Sequence, residues 1–281
     1  MGGWDLINQY SHYAANAPTP VWVWLIMSPL GWLPYPLTWY VWTAISIVIV
    51  TACAKVFGVK RWWLVPLSGA AMFNLWLGQI EALVLLGVAL GWLVTQRRLH
   101  PALMGVAWLL MALKPQVAAL PALLFAYWLW KERGWKAIAS GACVSIAIIG
   151  TSLALFPAYP SDIIHTMRAY IPPSSNASVF PFGLAALPLI AWPGLDQLTR
   201  LRVALAVNLL CSPYILLYHT MTLLAVVGNP ALMLLSWLPI GPFIYLASII
   251  PIAYLTIVIF GQVTVGRSVR IGANAWQKSA N

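Results

Sequence analysis

Ionisable side chains are scarce in this 281-residue chain, and the few present are sorted. There are five acids and four histidines. Asp5, Glu81 and Asp162, with His12, His165 and His219, fall near one set of turns or run ends, and so do two cations, Lys114 and Arg168. Asn74, Gln79, Gln116, Asn176 and Ser178 belong to the same set. The combination has a chemical logic. A carboxylate can take a proton from an acceptor hydroxyl. A lysine or arginine can neutralise a phosphate leaving group. A histidine can orient or charge-stabilise that phosphate. Each residue taken singly reads equally well as part of a wet, polar rim; the gathering of the set is what points to a site.

Other chemistry finds little support. Cys53, Cys143 and Cys211 lie in apolar runs without metal-ligand spacing and read as small hydrophobes. No metal site and no cofactor is expected, because the chain has no phosphate-binding loop, dinucleotide fingerprint or nucleophile elbow. Asn176-Ala177-Ser178 is a glycosylation triplet only in a eukaryotic secretory setting. Gly87 and Gly91, four apart, suit close helix packing. The 17 tryptophans read mainly as interface belts and packing, not as a sugar-stacking row.

The elements that must position the polar set are membrane helices. Hydrophobic residues make up 62% of the chain and charged residues 7%, against about 25% charged in a soluble domain. So few charges cannot cover a globule of this size, so lipid is the expected solvent. Apolar runs stand at 37–57, 63–77, 79–95, 101–113, 116–130, 137–156, 181–193, 203–227 and 231–260. This predicts an all-α polytopic membrane protein of about nine transmembrane helices. A further run, 20–33, is broken by Pro29 and bounded by Pro34 and Pro36; it suits an interfacial helix. The expected organisation is an extracytoplasmic N-terminal segment (1–36), a transmembrane domain (37–260) with an outer loop at 157–180, and a cytoplasmic basic tail (261–281).

The net charge of +10 does not indicate a nucleic-acid partner, because the cations sit in short clusters between apolar runs. Lys55, Lys60 and Arg61 follow the first span, Arg97 and Arg98 the third, and Lys131, Arg133 and Lys136 the fifth. Arg200 and Arg202 follow the seventh, and Arg267, Arg270 and Lys278 the ninth. Every second loop is basic, which puts those loops in the cytoplasm. The first 54 residues have no Lys or Arg, which puts the N-terminus outside; it also lacks the basic region of a signal peptide. Of the 15 basic residues, only Lys114 and Arg168 fall at the outer side. His219, 16 residues beyond Val203 in a rising span, would stand about 24 Å up, near the outer surface.

The ordered motifs then resemble a known family. Asn74-Leu-Trp-Leu-Gly-Gln-Ile-Glu81, a span, Arg97-Arg98 and Met111-Ala-Leu-Lys-Pro-Gln116 are similar to the pattern of glycosyltransferase family 87. Cys211-Ser-Pro-Tyr-Ile-Leu-Leu-Tyr-His219 resembles its Ser-Pro segment with a following histidine, and Ser174-Ser-Asn-Ala-Ser178 its outer-loop element. Pro20 to Pro36 resembles the proline-bounded segment after its first outer loop. Together these cover roughly residues 18–225. The resemblance implies a GT-C type fold in a bacterial inner membrane. It also implies transfer of a sugar, often mannose, from a polyprenyl-phosphate donor to a lipid- or wall-linked acceptor at the outer face.

On that reading Asp5 is the catalytic base and His219 lines the reaction centre. Lys114 and Arg168 hold the donor phosphate, with Gln79, Glu81, His165 and Asn176 completing the substrate site. The family's catalytic carboxylate follows a first membrane span, and here the N-terminus is read as outside with no span before it. A chain truncated at the N-terminus is one expectation. The other is a non-catalytic membrane subunit that keeps the scaffold and packs against other membrane proteins. A transporter, with a polar site at mid-membrane between repeated halves, ranks last because no internal repeat is visible.

Overall fold

The computed structural model describes residues 20–157, 159, 176–238 and 246–262. All regular structure among the described residues is helical. The chain opens with a short helix α1 (Trp22–Met27) and a 3₁₀ turn (Ser28–Trp32). Then come α2 (Tyr35–Val56), a 3₁₀ segment (Trp62–Leu67), α3 (Gly69–Trp76), α4 (Glu81–Thr95), α5 (Leu103–Met111), α6 (Pro115–Arg133) and α7 (Trp135–Leu155). After a 3₁₀ run (Phe182–Ala191) follow α8 (Gln197–Cys211), a 3₁₀ turn (Leu217–Thr220), α9 (Met221–Val227) and α10 (Pro230–Leu235). A last apolar helix, α11, spans Leu246–Gln262.

Local chemistry sets these limits. Pro115 and Pro230 sit in first turns, where a missing N–H costs nothing. Asp196 caps α8 by accepting the Thr199 N–H at 2.9 Å, and Asn229 caps α10 by accepting from Ala231 at 2.9 Å. Small residues let helix backbones touch. A Cβ on Gly87 would stand 2.9 Å from the Ala107 carbonyl oxygen, so α4 and α5 lie against one another as an antiparallel pair. A Cβ on Gly105 would stand 2.1 Å from the Gly141 oxygen, which holds α5 against α7.

Two helices, the stretch Pro36–Val56 of α2 and all of α7, are long and apolar enough to cross a membrane. Within their 18-residue apolar stretches only 28% and 11% of the residues are buried, the opposite of a soluble core helix. Such exposed apolar faces point to a membrane protein. The remaining apolar runs do not each form one spanning helix. The run 203–227, expected to be a single span, is two helices separated at Ser212–Leu216. Ser212 is extended (φ −79°, ψ 133°) and Pro213 brings no N–H, so α8 cannot continue. The chain then turns back: the Arg202 Nε–H near the start of α8 donates to the Val226 carbonyl at the end of α9, at 3.0 Å. The run 181–193 winds as 3₁₀, with Pro188 inside it. The run 231–260 contains α10 and α11 as separate helices. The 20–33 run is α1 and its 3₁₀ turn, tied down by Trp22 Nε1–H donating to the Leu109 carbonyl at 3.1 Å.

The described residues have two polar ends. At the basic end, Arg133 donates to the Val94 carbonyl, and Gln197 bridges Gln96 and Glu132, each bond 2.9–3.0 Å long. The turns at 78–81, 112–115 and 212–219 gather at the other end.

Candidate active site

Three turns build this end. Gly78, at φ +61°, closes α3 in a conformation that suits glycine. The next N–H, of Gln79, donates to the Asn74 carbonyl at 3.0 Å, and Trp42 Nε1–H donates to the Gln79 carbonyl at 3.3 Å. Glu81 opens α4 with no exposed surface. Because α4 and α5 are antiparallel about Gly87 and Ala107, the start of α4 and the end of α5 share one level. Lys114, between α5 and α6, therefore faces Glu81.

The contact is close. Lys114 Nζ donates to Glu81 Oε2 at 2.8 Å and to Gln79 Oε1 at 2.9 Å, and lies 4.5 Å above the centre of the Tyr218 ring. Its side chain is 11% exposed. The ammonium thus has two oxygen acceptors and an aromatic face, and its anion is a carboxylate of the same chain. The other carboxylate oxygen, Glu81 Oε1, stands 3.5 Å from His219 Nε2. That separation is within ion-pair range, but the geometry is not that of a hydrogen bond, and neither atom has a hydrogen-bond partner among the described residues. We read it as a poised contact.

His219 is oriented from its far side. The Leu216 N–H donates to Nδ1 at 3.0 Å. Nδ1 is therefore an acceptor, and the neutral ring carries its proton on Nε2, the nitrogen facing Glu81. Tyr218 and Tyr214 pack edge-on against the imidazole, with centroids 4.6 and 5.7 Å away. His219 reaches this level because it follows the turn at Ser212–Leu216. The fifteen-residue α8 climbs about 22 Å and the chain reverses there; the single continuous rise expected from sequence does not occur.

Asn208 fixes the Lys114 turn, and the candidate set drawn from sequence did not include it. In α6, Ala118 is non-helical (φ −136°, ψ 15°) and Pro121 has no N–H, so the first turn loses its own bonds. The Asn208 side chain replaces them: Oδ1 accepts the Leu120 N–H at 2.8 Å, and Nδ2 donates to the carbonyls of Pro115 and Gln116 at 3.2 and 2.7 Å. A lone asparagine inside the apolar run 203–227 was the available signal.

Asn176 belongs to the frame of the site. Its Oδ1 accepts the N–H groups of Ser178 and Ile215 at 3.1 and 2.9 Å, and Nδ2 donates to the Pro213 carbonyl at 2.9 Å. The Ser178 hydroxyl donates to the Ser212 carbonyl. Residues 176–178 are thereby bound to the segment that carries Tyr214 and His219. Of the residues singled out from sequence, Gln79, Glu81, Lys114 and His219 meet directly and Asn176 braces their surroundings. Asp5, His165 and Arg168 lie outside the described residues, as do His12 and Asp162.

A groove of about 660 Å³ begins beside this cluster, lined by Pro115, Gln116, Leu120, Leu184, Asn208 and Tyr214 among others. Its wall residue Leu187 also lines a second space of about 710 Å³, which continues along α6 past Leu124 and Tyr127 to Lys131, Glu132 and Arg200. The two share the cleft between α6 and the 3₁₀ run with α8. A helix as long as the nineteen-residue α6 measures about 28 Å, close to the thickness of a bilayer's hydrocarbon core.

Among the described residues the scaffold is all-helical, with a polar cluster at one end and a mainly apolar groove beside it. Residues 20–239 match the family model of glycosyltransferase family 87, and the chain belongs to that family. No curated protein and no solved structure matches it.

Proposed function

We propose that this glycosyltransferase moves a sugar, with mannose the first candidate, from a polyprenyl-phosphate donor to a lipid- or wall-linked acceptor. Transfer would occur at the end where Gln79, Glu81, Lys114 and His219 meet. The observation that carries the reading is the buried Glu81–Lys114–His219 cluster next to a mainly apolar groove, whose lining includes its neighbours Pro115 and Tyr214. The topology that goes with it has this end outside a bacterial inner membrane and the basic end in the cytoplasm. About nine passages of the membrane are then made partly by broken or short helices.

In this mechanism Asp5 takes the proton from the acceptor hydroxyl as that oxygen attacks the anomeric carbon. The bond from that carbon to the donor phosphate breaks, and the phosphate leaves with its electron pair. Arg168 and Lys114 stabilise the charge that develops there. Glu81 Oε2 aims the Lys114 Nζ, so an incoming phosphate takes the place now filled by Gln79 or the Tyr218 face. His219 offers Nε2–H, and His165 and Asn176 bound the substrate space. The prenyl chain follows the α6 groove.

A second reading, a non-catalytic subunit that keeps the scaffold, is favoured by one observation: Lys114 is already neutralised by Glu81, so its burial does not require a substrate. The test uses the full chain in proteoliposomes with polyprenyl-phosphate mannose and other polyprenyl-phosphate sugars. Asp5→Asn is expected to lower transfer by roughly 10²-fold or more, the scale of general-base catalysis. Undiminished transfer by that variant excludes Asp5 as base, and no transfer by the unmutated chain with any donor favours the subunit.

A further inference from the structure

At the end away from the candidate active site, three cations converge on one concavity. A cavity of about 480 Å³ lies between the turn after α2 and the turn between α9 and α10, and Lys60, Arg61 and Arg202 line it together with Gly58, Val59 and Gly228. Among the described residues no carboxylate lines it. Its floor is tight: Gly228 has φ +69°, and a Cβ there would stand 2.6 Å from the Val59 methyl groups, so the Val59 side chain packs directly on the Gly228 backbone.

Arg202 is held for a purpose beyond neutralising a helix end. Its Nε–H donates to the Val226 carbonyl at 3.0 Å, which fixes the plane of the guanidinium. Neither Nη atom has a hydrogen-bond partner or ion pair among the described residues. Asp196, the residue that caps α8, and Tyr254 of α11 are close enough to interact electrostatically with Arg202, but neither enters the lining. Lys60 and Arg61 are exposed and unpaired among the described residues. Cations capping helix C-termini account for one such residue; they do not account for three facing one cavity with their donors free.

We propose that this cavity is a binding site for a phosphate group, carried by an anionic lipid headgroup or free in solution. A fixed guanidinium fork with two flexible cations beside it matches the charge and the tetrahedral acceptors of a phosphate mono- or diester. Basic pockets between membrane helices take lipid headgroups in the same way. The site is independent of the proposed sugar transfer.

The test measures the unfolding midpoint of the full chain in neutral detergent with phosphatidylglycerol, phosphatidylcholine or inorganic phosphate added. Phosphatidylglycerol raises the midpoint and phosphatidylcholine does not. In Lys60→Gln/Arg61→Gln, which leaves the Arg202–Val226 bond in place, the lipid concentration giving half the shift rises by about tenfold or more. Arg98→Gln/Lys136→Gln, two exposed cations outside the cavity, keeps the unmutated response. A shift of equal size with inorganic phosphate identifies a soluble ligand; a shift with the lipid alone identifies a headgroup. No shift with phosphatidylglycerol or with inorganic phosphate overturns the proposal. So does an equal loss in the two double variants, because the effect would then belong to diffuse charge.

Discussion

Replacing Lys114 by methionine keeps most of the side-chain length and removes the charge, leaving Glu81 fully buried with its partner gone. Breaking a buried ion pair from one side typically costs about 3–5 kcal/mol. Here the cost should sit in that range, because Glu81 has no exposed surface and would retain one oxygen 3.5 Å from His219 as its remaining polar neighbour. Glu81→Leu strands the ammonium instead, although Gln79 and Tyr218 still face it, so its cost should be lower. Combining both changes removes the two charges together, and replacing a buried pair by apolar side chains is often neutral or stabilising. Unfolding of the four proteins in one detergent, followed by tryptophan fluorescence, closes the cycle. The double variant should lie within about 1 kcal/mol of the unmutated chain, with a coupling of at least about 2 kcal/mol, toward the upper part of the range for contacting residues. Additive single effects, or single costs below about 0.5 kcal/mol, would refute the buried pair as the organiser of this end. Sugar transfer separates the two roles: a stable double variant should still be inactive if Lys114 holds phosphate, and full transfer by it would reduce the pair to scaffolding.

Asn208→Leu should strand the Leu120 N–H and the Pro115 and Gln116 carbonyls. The three bonds are only part-buried, so each costs toward the lower end of about 1–3 kcal/mol; a summed loss of about 2 kcal/mol, with transfer falling alongside it, is expected in the same unfolding and transfer assays. Asp196 gives a pH dependence. Partial burial would raise its pKa, but the hydroxyl and N–H of Thr199 outweigh that and hold the carboxyl below its ordinary value. A depressed carboxylate contributes stability above its unfolded pKa of about 3.9 and loses it as pH falls through the lower folded value. Asp196→Ala should therefore lower the unfolding midpoint at pH 6, and the gap to the unmutated chain should close on acidification below pH ~4; a gap constant with pH would contradict the charged cap.

Much of the polar end was legible because charge is so costly in apolar surroundings that its placement carries information. Lys114 stood where the sorting of cations has no use for it, and Gln79 and Glu81 bounded a turn that had to face the 112–116 turn once two apolar runs were joined by a short basic loop. The identity of the partner was not legible. Whether Lys114 meets a ligand or Glu81 depends on the depth to which α4 and α5 slide past one another, and Gly87 against Ala107 decides that in three dimensions. The breaks inside the apolar runs were not legible for a related reason. Hydropathy measures apolar length, and in 203–227 that length is continuous through Ser212 and Pro213. A lone proline in an apolar run is compatible with a kink or with a full reversal, and what selects reversal is tertiary: Arg202 meeting Val226, and the 176–178 strap meeting 212–215. Asn208 escaped because its three bonds reach a kink 88–93 residues away in sequence.

The reversal at Ser212–Pro213 also bears on how the chain is assembled in a bilayer. The descending limb, the 3₁₀ turn and α9 together, covers only Leu217–Val227, far short of the roughly 20 residues needed to cross hydrocarbon, and Met221 through Val226 are buried by protein. A segment this short has no stable place among lipid tails, where its helix ends would lack partners. It acquires one only after α2, α3 and α4, which contact it, have already come together. Leu217–Val227 is thus expected to go in last, as the closing piece of a prebuilt wall, delivering His219 to Glu81 in that same step.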